Sequence, residues 1–68
     1  MTIVLNGAHV ELGEMATVAE AIRHTGAEPG QRGIAVAVDG EVVPRSAWAE
    51  TELADGQRVE VVGAIQGG

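Results

Sequence analysis

Apolar and polar positions alternate with a period of two in several short stretches of this chain, and recur at helical spacing in one. Residues 2–5 place Ile3 and Leu5 on one face of a strand, and Asn6-Gly7 follows, a pair suited to a type I′ turn because both positions tolerate positive φ. The return strand, 8–12, turns Val10 and Leu12 inward and His9 and Glu11 outward. After a connector, Thr17-Val18-Ala19-Glu20 reads as a capping box opening a helix of about two turns. Val18, Ala21, Ile22 and Thr25 form its stripe, Arg23 and His24 suit its last turn, and Gly26 suits its C-terminal end. The loop 27–33 carries Pro29-Gly30. Ile34, Val36 and Val38 then share one face of the most apolar run, with Ala35 and Ala37 on the other. Asp39-Gly40 turns this run into 41–43, where Pro44 ends the pairing. Ser46 is placed to cap a short turn carrying Ala47 and Trp48, and Asp55-Gly56 leads into the last strand, 57–62.

The order hairpin, helix, short strands, final strand predicts an α+β domain of two layers, one helix on one mixed sheet. The first and last strands are expected side by side at its centre. The helix-side core is expected to hold Ile3, Leu5, Val10, Leu12, Val18, Ile22, Val36, Val38, Leu53, Val59 and Val61. On the opposite face Ala35, Ala37 and Val62 leave a shallow apolar surface, expected with Ile65 of the tail to meet a partner. The domain is expected to span 1–62, with 63–68 a flexible tail.

Composition narrows the function. Sixty-eight residues make one small domain with little room for a deep substrate pocket. The absence of cysteine removes disulfides, thiolate nucleophiles and cysteine metal sites. Net charge is −6 and all four basic residues are arginine, which disfavours nucleic acid and favours basic faces on partner proteins. Without lysine the chain cannot build side-chain-linked polymers of itself. No apolar run is long enough to cross a bilayer, and no secretory signal opens the chain, so a cytoplasmic location is the expectation.

His9 and His24 lack a third ligand at useful spacing, so no metal site is expected. Neither a Ser-His-Asp pattern nor a phosphate-binding glycine loop is present, and the single aromatic residue, Trp48, reads as packing. By elimination the distinctive reactive group is the carboxylate of Gly68. Gly67 and Gly68 have no Cβ, so this end can thread a gap too narrow for a side chain. Its carboxylate becomes an acyl donor once activated, for example as an adenylate.

Taken together, these residues resemble the thiamine-biosynthesis sulfur carrier family (ThiS), ubiquitin-like proteins of the β-grasp fold. The resemblance spans nearly the whole chain: Ile3 with Asn6-Gly7, Thr17-Val18, the run 33–38, Asp55-Gly56 and the terminal Gly67-Gly68. Its most specific part is Val42-Val43-Pro44-Arg45-Ser46-x-Trp48; Asp39 stands where many relatives have asparagine, and either residue suits the turn. The resemblance implies a carrier rather than an enzyme. A ubiquitin-activating-like adenylyltransferase, using ATP and Mg²⁺ that this chain does not itself bind, would adenylate Gly68. A sulfur donor system such as a cysteine desulfurase would then convert it to a thiocarboxylate, and thiazole synthase would accept the sulfur. The small subunit of molybdopterin synthase shares the fold and the chemistry, but the motif at 42–48 and the short chain favour the thiamine carrier. From a different class, a β-grasp interaction module with an inert tail is the remaining alternative.

Overall fold

The computed structural model describes residues 1–63, and the expectations for 64–68 lie outside the described residues. Strands β1 (Thr2–Leu5) and β2 (Ala8–Glu11) form the N-terminal hairpin, followed by helix α1 (Val18–His24). Strand β3 (Ile34–Val38), strand β4 (Glu41–Val42), a 3₁₀ turn (Arg45–Ala47) and strand β5 (Arg58–Gly63) complete the chain. The sheet order is β2-β1-β5-β3-β4, with β1 and β5 parallel and the other neighbours antiparallel. This is the expected α+β mixed sheet with one helix, and the first and last strands meet at its centre. Strand β5 reaches Gly63, which is in register with Ile34, one residue beyond the expected strand end.

Both hairpin turns take the backbone that their residues favour. Asn6 and Gly7 have φ of 50° and 86°, and Asp39 and Gly40 have 52° and 85°, the left-handed pair of a type I′ turn. Asp39 also accepts a hydrogen bond from the Arg58 amide at 3.0 Å and one from Gln57 Nε2 at 3.2 Å. Its side chain therefore fastens the β3–β4 turn to the start of β5.

The helix starts differently from the sequence reading. Thr17 is the N-cap residue, but its hydroxyl makes no capping bond. The Val18 and Ala19 amides instead donate to the carbonyls of Thr51 (3.0 Å) and Trp48 (3.1 Å). The segment 48–53 lies against the helix start, with Thr17 bridged to Glu52 and the Leu53 amide bonded to the Ala16 carbonyl. Backbone carbonyls brought by the fold thus satisfy two of the helix's first donors, and the Glu20 amide, which a capping box would have served, donates to the Thr17 carbonyl at 3.0 Å. At the other end Gly26 has φ 95° and its amide bonds to the Arg23 carbonyl, as expected of a glycine after the C-cap. Ser46 lies inside the 3₁₀ turn, whose N-cap is Pro44, and does not cap it.

The core gathers Ile3, Leu5, Val18, Ile22, Val36, Leu53 and Val59 as expected, all buried. Val10, Leu12, Val38 and Val61, expected with them, are only half-buried and pack at the rim. The reason is geometric. A seven-residue helix is about 10 Å long, whereas five strands span about 19 Å, so the sheet's margins are incompletely covered. Ala16, Ala19, Ala21 and Ile34 add to the interior, as does Trp48, which is 3% exposed and donates its Nε1 hydrogen to the Val43 carbonyl at 2.9 Å.

Candidate functional site

The strand registers decide which residues share the face turned away from the helix. Ala35 is paired with Val62, Ala37 with both Glu60 and Val42, and Val4 with both His9 and Arg58. Ala35, Ala37, Val42 and Val62 therefore form one apolar patch across β4, β3 and β5. Ala35 is exposed and Ala37 half-buried, while Val62 and Val42 are 64% and 76% exposed. The structure thus brings together three of the residues expected at the partner surface. Ile65, Gly67 and Gly68 lie outside the described residues.

Val42 joins this patch without having been expected there, although the sequence carries the signal. A two-residue turn at Asp39-Gly40 sets Ala37 opposite Val42, which puts both on one face. Charged groups border the patch: Glu60 lies beside Ala37, and Arg58 and His9 lie beyond it, near Val4. An apolar centre with a charged rim is the arrangement of a protein-docking surface.

Val62 belongs to this patch and is followed directly by Gly63, so the patch runs into the root of the tail. On the helix side of that root lies an open groove of ≈ 510 Å³. Thr25, Ala27 and Gln31 form one wall, and Ile34, Val61 and Gly63 the other. Among the described residues no ionisable side chain lines it.

The motif at 42–48 serves the architecture of this end. Arg45 donates to the carbonyls of Pro29 and Gln31, both at 2.8 Å, while its guanidinium sits 4.7 Å from the centre of the Trp48 ring. The loop bearing one wall of the groove is thereby tied to the 3₁₀ turn and, through Trp48, to the core. Sequence reading marks these residues as distinctive but does not show that Arg45 grips main-chain carbonyls.

His9 and His24 are exposed on a strand and at the helix end. Among the described residues no group of three His, Asp or Glu is placed to hold a metal, and no helix is long and apolar enough to cross a membrane.

Comparison with known proteins bears directly on this arrangement. Residues 2–68 match the ThiS family. The chain belongs to the ThiS family. The crystal structure of the thiamine biosynthesis protein ThiS from Geobacter metallireducens is similar over 100% of both chains, with a TM-score of 0.76 and 28% sequence identity. Among curated proteins no sequence matches. Family membership makes the chain a small β-grasp sulfur carrier of thiamine biosynthesis.

Proposed function

We propose that this ThiS-family chain carries sulfur as a thiocarboxylate on Gly68 and delivers it to thiazole synthase. The observation that carries the reading is the continuity of the exposed patch Ala35–Ala37–Val42–Val62 with a chain end closing in Gly67-Gly68. The patch supplies recognition, and the glycines supply a narrow end for a partner's active site. Body and end have separate tasks, so one carrier can serve two enzymes in turn.

In the first step an adenylyltransferase related to ubiquitin-activating enzymes binds the patch and draws the tail inward. The Gly68 carboxylate oxygen attacks the α-phosphorus of Mg²⁺-bound ATP, and pyrophosphate leaves. The outer sulfur of a persulfide on the donor system, a cysteine desulfurase or its equivalent, then displaces AMP at the acyl carbon to give an acyl disulfide. A thiol reductant cleaves its S–S bond, which releases the thiocarboxylate and leaves the donor in a disulfide. In the last step the sulfur passes to the substrate of thiazole synthase, and water or a substrate oxygen breaks the acyl–sulfur bond and restores the Gly68 carboxylate. The chain is a substrate throughout, and ATP and Mg²⁺ belong to the activating partner.

Replacing Ala37 by Glu sets a carboxylate at the centre of the patch. Burying it without a partner should weaken binding to the activating enzyme by about tenfold or more. The domain should stay folded, because this side chain points away from the helix-side core. Titration calorimetry with the parent and the variant checks this, and unchanged affinity refutes the docking face. Pathway assignment is tested by presenting the thiocarboxylated carrier to purified thiazole synthase and to the large subunit of molybdopterin synthase. Sulfur transfer to the former supports the reading, and transfer to the latter alone overturns it.

A further inference from the structure

We infer that Asn6 is a positioning residue for the tail, holding the end of β5 in the sheet so that Val62 and the root of the tail are presented in order. The inference rests on the carrier reading above.

The turn by itself does not call for asparagine. Asn6 and Gly7 sit at φ 50° and 86°, a geometry that Gly-Gly or Asp-Gly accepts as readily. The additional feature is what Asn6 does to β5. Its backbone amide donates to the Val59 carbonyl at 2.9 Å, and its side-chain Oδ1 accepts from the Val61 amide at 2.8 Å. Strand β1 is in register with β5 at Val4–Arg58 and Leu5–Val59, after which its backbone turns away. The Asn6 side chain stands where the next carbonyl of a longer β1 would have been. It extends the parallel ladder by one rung, at the residue before Val62.

This position matters for docking. The Val61 amide is held on the β1 side by a side chain, while β3 pairs with β5 along its other edge. Loss of the Asn6 bond leaves that part of β5 free to fray, and a frayed strand must be ordered again each time the patch binds. Val62 would then be part of the patch for only a fraction of the time. The loss falls on recognition rather than on the bond-making step, which takes place at Gly68.

The discriminating pair is Asn6→Gly and Asn6→Asp. Glycine keeps the turn without strain but has no acceptor; aspartate keeps an acceptor and tolerates the left-handed backbone. Asn6→Gly should raise KM for the carrier in the adenylation assay by about fivefold, the factor one ordinary hydrogen bond is worth, with kcat near that of the parent. Hydrogen exchange at the Val61 amide should quicken in the same variant, and Asn6→Asp should restore both readouts. The inference is overturned if Asn6→Gly keeps the parent KM, if KM rises without faster Val61 exchange, or if Asn6→Asp fails to rescue. If the parent chain is not adenylated at all, the carrier reading fails and the inference falls with it; Val61 exchange still reports whether the bond forms.

Discussion

A carrier lacking Gly68 should yield no detectable thiocarboxylate. The deletion leaves a glycine carboxylate at the end, so the reactive group is chemically the same and only its reach changes. A misplacement of about 1 Å from attack geometry can cost on the order of a hundredfold in rate, and one residue shortens an extended chain by about 3.3 Å. Gly67→Ala keeps the length but adds a Cβ to an end that, on the carrier reading, must thread a narrow active site, so it should be sulfurated slowly. Both variants should unfold at the parent temperature, because the described core is closed by residues between Ile3 and Val59. Intact mass after reaction, read beside thermal unfolding of each variant, separates a fault in transfer from a fault in folding. A deletion variant sulfurated as fast as the parent would favour the inert interaction module.

Trp48→Ala should lower the unfolding temperature by roughly 12–40 °C, since each kcal/mol is worth about 4–8 °C in a domain of this size. The side chain is buried, bonds through Nε1 to the Val43 carbonyl and carries the stacked Arg45. The backbone carbonyl of the same residue receives the Ala19 amide at the start of the helix. Truncating a buried tryptophan costs about 3–5 kcal/mol, and a domain of this size has only about 3–10 kcal/mol in total. Arg45 would also lose the ring on which it rests while holding the loop carbonyls. Trp48→Phe should be milder, retaining an aromatic ring but not the Nε1 donor. Far-ultraviolet circular dichroism through a thermal ramp measures both, and an unchanged melting curve for Trp48→Ala would refute the role given to this residue.

The sequence exposes most of the fold because its signals are local. Asn6-Gly7 and Asp39-Gly40 announce their turns through a backbone region that few other pairs enter readily. Period-two alternation places Ile3, Leu5, Val36 and Val59 in the core. The helix start was less legible, because the carbonyls that receive its amides come from Thr51 and Trp48, about thirty residues away. No local pattern encodes such a partner. The half-burial of Val10, Leu12, Val38 and Val61 depends on helix length against sheet width rather than on alternation. Of the candidate site, Ala35, Ala37 and Val62 were legible from strand parity, and Val42 follows once the turn fixes the register. The second hydrogen bond of Asn6 and the groove beside Ile34 and Gly63 arise only when distant segments meet.

The central claim is that Gly68 carries sulfur, and intact mass spectrometry tests it most directly. The purified chain is incubated with ATP, Mg²⁺, the adenylyltransferase and a sulfur donor, with a reaction lacking ATP as the control. The carrier account predicts a gain equal to one oxygen-to-sulfur exchange, localised to the C-terminal residue by fragmentation and absent without ATP. An unchanged mass in the complete reaction, with the enzyme shown to be active on another carrier, would contradict it.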